Sequence, residues 1–440
     1  MDMTVISLLG IFLGVALFIF CAFKGFNLTL AALLSSLVMV TFSGNPILQG
    51  ITETWAGGVS GSFGRFMFMF ILGTLYGKLA EAGGSSKKIA TSLVKILRKN
   101  KKNERFFGAY FIPIFYFILT YAGVTGFVII FTVLAIGREL FEELNIPWRM
   151  WCYAIGGIIM ATVLGGSLAV SNVASMGITQ SDSPAAAMGL SIVMVIVFGV
   201  VHAYMLNADL KKAAEKGENF IDSGSEIVKV KMSTQLSEEE LPHFIPAVIP
   251  MVTMILMCSA FKINVTVALT TGNLLCLILF WKNLKKQSLK ALIEVGVVSS
   301  FPPLINVCAA SAVGTVIMSV PGFTLIRNAL DMFPPMISGV GLGVLASMIV
   351  ASSTSTVPAF GPLMFENFQA AGLSAATSHR LMVLATNVAS IPPHNAAVVN
   401  ASSLNKIAYK QAAWIYGKAS FVPGFVSLIV AVILIQLGIF

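Results

Sequence analysis

Two stretches of this chain carry the same polar pattern inside apolar surroundings. Ser171-Asn172-Val173-Ala174-Ser175 lies late in one long apolar segment, and Thr386-Asn387-Val388-Ala389-Ser390 lies late in another, running on into Ile391-Pro392-Pro393-His394-Asn395. Two further apolar segments are broken at their middles, by Thr120 through Gly126 and by Ser352-Ser353-Thr354-Ser355-Thr356-Val357-Pro358. Hydroxyls and amides can hydrogen-bond a carboxylate, or ligate a cation through oxygen, without the cost of a buried charge. A helix broken at such a cluster adds free N–H groups at a positive dipole end and unwound carbonyls for a cation. The candidate substrate-binding residues are therefore Thr125, Ser171, Asn172, Ser175, Ser353, Thr354, Ser355, Thr386, Asn387, Ser390, His394 and Asn395. Asn172, Thr354 and Asn387 are also candidate sodium ligands. The competing reading is that such side chains only bond neighbouring helices together.

His394 follows Pro392-Pro393, which end a helix, and its imidazole can titrate near neutral pH. It is expected at the cavity, carrying a coupling proton or binding an anion, with a bond to a backbone carbonyl as the alternative. His202, His243 and His379 fall at span edges and are expected to be interfacial. No Asp or Glu lies securely at membrane depth, Glu294 being the nearest case, so proton and sodium coupling both stay open. The five cysteines sit in or beside apolar runs without a CxxC spacing and read as small buried hydrophobes. With no metal cluster, Ser/Lys pair or paired aspartates at credible spacing, neither an enzyme nor a cofactor is expected. The glycine-rich run 56–64 has no preceding strand and no following Lys-Ser/Thr, so it is not a phosphate loop; close helix packing is its expected use.

Positioning these residues takes a membrane fold. Hydrophobic residues make up 57% of the 440 and charged residues 11%, with a mean hydropathy of +0.88. Apolar runs of about 20 residues, long enough to cross a bilayer, recur along the chain. Crossings are expected near 4–23, 27–43, 62–80, 150–177 and 187–206, then near 244–261, 264–281, 292–318, 378–400 and 420–439. The first run reads as a retained span and not as a cleaved signal. The two interrupted segments, about 106–137 and 335–365, read as re-entrant helical hairpins, because backbone freed at membrane depth needs protein or a wet cavity around it.

The net charge is +9, but the basic residues sit in short loops, which argues for orientation and against nucleic acid. With 81–105 in the cytoplasm, all 28 Lys and Arg except Arg65, Lys262, Arg327 and Arg380 fall inside. Both termini are then outside. The expected architecture is an all-α polytopic membrane protein. Residues 1–206 and 244–440 form two inverted repeats, each of five crossings plus one hairpin, joined by a solvated linker at 207–243. Ile89, Leu93 and Leu97, and again Phe323, Ile326, Leu330 and Phe333, give helix-period stripes expected to lie in the interface.

At this point the residues resemble a family. Gly61-Ser62-Phe63-Gly64, Leu72 through Gly84, Ile89-Ala90, Ile305-Asn306-Val307 and Pro321-Gly322-Phe323 look like signatures of the gluconate permease family. His379-Arg380 through Pro393-His394-Asn395 to Tyr409 is similar to its hydroxybutyrate-type branch. The resemblance implies the ion-transporter-superfamily fold, a homodimer in the bacterial inner membrane, and symport of a small organic anion such as gluconate or a hydroxy acid with protons. Ser171–Gly177 stands where family members often carry Pro-Pro-His-Pro-Gly-Pro, and Tyr121–Thr125 lacks their glutamate. The polar hairpin tips resemble the sodium-coupled dicarboxylate branch of the same superfamily, so a sodium-coupled carboxylate symporter stays open. A passive anion channel or facilitator is the alternative of another class.

Overall fold

In the computed structural model the chain is helical, with no strand among the described residues, which are 2–97, 103–121, 126–167, 169–229, 236–259, 261, 263–330, 333–390 and 395–440. Helices α1 (Met3–Phe23) and α2 (Leu28–Thr41) open it as a packed pair. Asp2 caps α1 by accepting from the Thr4 N–H, and Asn27 caps α2 by accepting from that of Leu30. Gly14 lets the helices close, so that Ser35 Oγ donates to its carbonyl at 2.8 Å. The short α3 (Ile47–Gln49) and a π-helical turn (Gly50–Trp55) lead into α4 (Ala56–Ala82), then α5 (Ser85–Leu97). The first hairpin is α6 (Glu104–Tyr121) with α7 (Gly126–Glu143). A 3₁₀ turn (Trp148–Tyr153) feeds a broken span, α8 (Ala154–Val163) and α9 (Val170–Thr179), followed by α10 (Met188–Glu215) and α11 (Phe220–Lys229).

The second half repeats this order. The pair α12 (Phe244–Ser259) and α13 (Val265–Leu279) is followed by α14 (Trp281–Leu284), α15 (Leu289–Val298) and α16 (Phe301–Ser319). Next come the short α17 (Phe323–Leu330), the hairpin α18 (Pro335–Val350) and α19 (Ser353–Ala370), the broken span α20 (Ala375–Val388) and α21 (Ala396–Asn405), and the closing α22 (Tyr409–Gln436). Contacts cross between the halves in matching pairs: α4 on α13 and α16 on α2, α5 on α12 and α17 on α1, α9 on α19 and α21 on α7.

By length and composition α1, α10 and α22 can each span a membrane, and the bent run 47–82 makes a fourth. Shorter apolar helices include α2 and parts of α12, α13, α16 and α18. Large apolar side chains such as Phe12, Val200, Ile278 and Trp414 face outward while buried positions hold Ser, Asn, His and Arg. Lipid as the surrounding solvent accounts for that reversal.

Two expectations change. The segment 207–243 is not simply a solvated linker: α10 runs on to Glu215, and α11 buries Phe220 and Ile227, seven residues apart on one face. Glu218 clasps Arg149 through two bonds of 2.7 Å, and the Phe220 N–H donates to Asn145 Oδ1, which fixes the segment onto the helix ends. The glycine run also divides. Gly58 serves close packing, since a Cβ there would meet Ala312 Cα at 3.0 Å, whereas at Gly57, Gly61 and Gly64 a Cβ would meet nothing within 4 Å.

Candidate functional site

The second hairpin turns on Ala351, whose φ of +55° lies in the left-handed region, a strain of about 1–2 kcal/mol for a residue with a Cβ. The turn is held by Asn395 at the break of the neighbouring span. Its Nδ2 donates to the Ala351 carbonyl at 2.6 Å and to that of Ser390, and its Oδ1 accepts from the N–H groups of Ala397 (2.6 Å) and Val398 (3.1 Å). One amide thus satisfies a carbonyl at the hairpin tip, one at the end of α20, and two orphan donors opening α21. At the tip Ser352 Oγ lies 3.0 Å from Thr354 Oγ1, and Thr356 Oγ1 donates to the Ser352 carbonyl. On α20, Asn387 Nδ2 donates to the Val383 carbonyl and Ser390 Oγ to that of Asn387.

These elements wall a cavity of about 420 Å³ between the two halves. Its lining includes the polar Ser352, Ser353, Thr354, Asn387, Ser390, Asn395 and Asn400 and the apolar or aromatic Phe66, Tyr116, Trp151, Ile155, Ile159 and Tyr416. The open glycines Gly57 and Gly61 give the cavity its width. Among the described residues, no Lys, Arg, Asp or Glu lines it. Asn400 is buried, and its Oδ1 has no partner among the described residues. Such a site offers amide and hydroxyl donors to a carboxylate, oxygens to a cation, and an apolar wall to a short carbon chain.

Among the candidates, Ser353, Thr354, Asn387, Ser390 and Asn395 come together on this cavity. Thr386 turns its hydroxyl back to the Met382 carbonyl and is fully buried. Thr125 and His394 lie outside the described residues, as does the side chain of Ser355. Sequence reasoning missed Asn400 and the aromatic wall of Tyr116, Trp151 and Tyr416. An Asn in the middle of an apolar helix was a legible signal for the first; nothing local marks the aromatics.

The first-half cluster goes elsewhere. Asn172 Nδ2 donates to the Ser167 carbonyl at 2.6 Å, and its Oδ1 accepts from Arg380 Nη2 at 2.6 Å and lies 2.9 Å from His379 Nε2. Ser171 and Ser175 are buried, and neither lines the cavity. The two Asn-Val-Ala-Ser copies also fall in different arms of their broken spans, the first after the break, in α9, and the second before it, at the end of α20. The doubled motif therefore does not mark equivalent places in the two broken spans.

His379 and Arg380, expected at a span edge and outside, are fully buried. Arg380 donates to the carbonyls of Val163 (3.1 Å) and Pro184 (2.9 Å), the first at the partly negative C-terminal end of α8. His379 Nδ1 lies 2.7 Å from Ser181 Oγ. This pair clasps the two broken spans together. His202 is likewise buried, 2.9 Å from the Tyr153 carbonyl and ringed by Tyr110, Tyr153 and Phe198. Aromatic packing around one satisfied ring nitrogen explains an imidazole inside the bundle.

The fold and site define a class: a polytopic helical membrane protein with a cavity lined by amides and hydroxyls at the meeting point of interrupted helices. Residues 5–280 match the GntP family permease, and the chain belongs to that family. It is 22% identical to "Uncharacterized transporter YxjC" of Bacillus subtilis (strain 168), over 92% of this chain and 94% of that one. The protein is thus a membrane transporter, and a permease moves its substrate without altering it.

Proposed function

We propose that the protein is a secondary active transporter of the bacterial inner membrane that carries a small organic anion, gluconate or a hydroxy acid, in symport with protons. The observation that carries this reading is the cavity between the halves, whose described lining combines hydroxyls and amides from a hairpin tip and a broken span with aromatic side chains. The carboxylate sits against Thr354 and Asn387, beside the tie that Asn395 makes, and the carbon chain against Trp151 and Ile155. The element order supports two inverted repeats, 1–206 and 244–440, that alternate access around the fixed site, and a homodimer is part of the same reading. One charge crossing 100 mV yields about 2.3 kcal/mol, enough for roughly fifty-fold accumulation.

A sodium-coupled carboxylate symporter is the second reading. The oxygen-rich lining and the unpartnered Asn400 Oδ1 favour it. A passive facilitator is the third reading. Counterflow uptake into proteoliposomes, run over a panel of carboxylates with imposed pH or sodium gradients, tests all three. Gluconate or hydroxy-acid accumulation on a pH gradient supports the proposal. Accumulation on sodium alone selects the second reading, and flux without accumulation selects the facilitator.

A further inference from the structure

A second cavity, of about 250 Å³, lies along the same helices as the first. On α7, Ile130 lines the first cavity and Leu134, Ala135, Arg138 and Glu139 the second; on α21, Asn400 lines the first and Ser403 and Leu404 the second. Helices α4 and α16 also contribute to both, Phe66 and Met318 to the first and Glu81 and Pro302 to the second. The two cavities are therefore stacked along one interface between the halves, the second at the lysine-rich face. Its described lining, unlike that of the first, is charged: Lys78, Glu81, Lys87, Arg138, Glu139 and Lys406 line it.

Most of these charges are already engaged. Lys78 Nζ donates to Glu81 Oε2 at 3.1 Å, and Lys87 Nζ donates to the Leu236 carbonyl at 3.0 Å. Glu81 Oε1 is buried without a described partner, but its other oxygen is held by Lys78. Glu139 is 8% exposed, and its Oε1 accepts from no described residue. A carboxylate buried with an unbonded oxygen is costly as an anion and inexpensive as an acid. The charged groups facing it are Glu142 and Arg138 on its own helix, Lys87 on α5, Lys78 and Glu81 on α4, and Lys406 at the end of α21. The start of α6 adds Glu104 and Arg105 at that end of the hairpin.

We infer that this second cavity is the inner vestibule of the transport path and that Glu139 is its proton-exchange site, taking up and releasing one proton with cytoplasmic water. The inference rests on the proton-symport reading above. Glu139 lies outside the substrate cavity, so it acts on coupling without touching the substrate.

The test uses the full-length protein in proteoliposomes, with gluconate and 3-hydroxybutyrate as probes. Glu139→Gln is expected to lose accumulation driven by a pH gradient by tenfold or more while keeping exchange of labelled for unlabelled probe; Glu139→Asp retains both. Infrared difference spectra supply a readout that needs no substrate. A protonated carboxyl band that titrates near neutral pH is expected in the wild type and absent in Glu139→Gln. If wild-type accumulation follows only sodium, the proton-symport reading fails, whatever Glu139 does. If wild-type uptake is proton-driven and Glu139→Gln matches it, or if the titrating band survives in that variant, the assignment of Glu139 is overturned. Should Glu139→Gln fold poorly, the band in wild type and its shift in Glu139→Asp decide.

Discussion

Asn172 Oδ1 accepts a hydrogen bond from Arg380 Nη2 at 2.6 Å, joining the second arm of one broken span to the first arm of the other. Arg380 is fully buried and otherwise donates to backbone carbonyls and lies beside His379, so this amide is part of what makes its burial tolerable.

Asn172→Ala leaves a buried charged donor short of a partner and is expected to cost about 2–3 kcal/mol of stability. A lower melting temperature and a smaller yield of monodisperse protein in detergent are the expected signs. Asn172→Asp, which offers Arg380 a carboxylate but cannot donate to the Ser167 carbonyl, restores part of both. An unchanged melting temperature in Asn172→Ala contradicts the clasp.

Asn395 separates folding from function. Asn395→Asp keeps the oxygen that caps α21 but loses the N–H groups that hold the Ala351 and Ser390 carbonyls. Stability is expected to fall by about 1–3 kcal/mol, because the Ala351 and Ser390 carbonyls lose their donor, and by less than in Asn395→Ala, since the cap survives. Transport should fall, because the hairpin tip is released from the break. Asn395→Ala should lose both. Uptake by Asn395→Asp at the parental rate rules out a role for that tie.

Gly61 borders the substrate cavity, and a Cβ there meets nothing within 4 Å. Gly61→Leu should therefore fold and block uptake by filling the cavity. Gly58→Leu, beside the Ala312 backbone, should lose folded protein instead. Normal transport by Gly61→Leu places the substrate elsewhere.

Burial, then the neighbouring Glu142, pushes the Glu139 carboxyl up from 4.5 to about 7. The native state therefore binds this proton more tightly than the unfolded chain does. Its effect on stability is absent below about 4.5, and stability falls as pH rises toward about 7. Melting temperature against pH should show that decline in the parent and a flatter profile in Glu139→Gln. Parallel profiles contradict the shift.

Sequence alone determined the class, the helices and the interruptions. Apolar runs report membrane crossings because lipid penalises polar side chains, and Ser352 through Pro358 report a hairpin tip because no continuous span carries such a run. Amphipathic spacing marked α5 and α17 in the same way. Only the tertiary structure decided what each polar residue does. Asn172 and Asn387 have the same local sequence, yet one clasps Arg380 and the other lines the cavity. His379, read as interfacial, is buried between two broken spans. Gly58 and Gly61, three residues apart, meet a helix backbone and open space. The physical reason is common to all of them. Hydropathy records how much a segment prefers lipid, whereas a side chain's partner is set by residues brought to it from the other half of the chain.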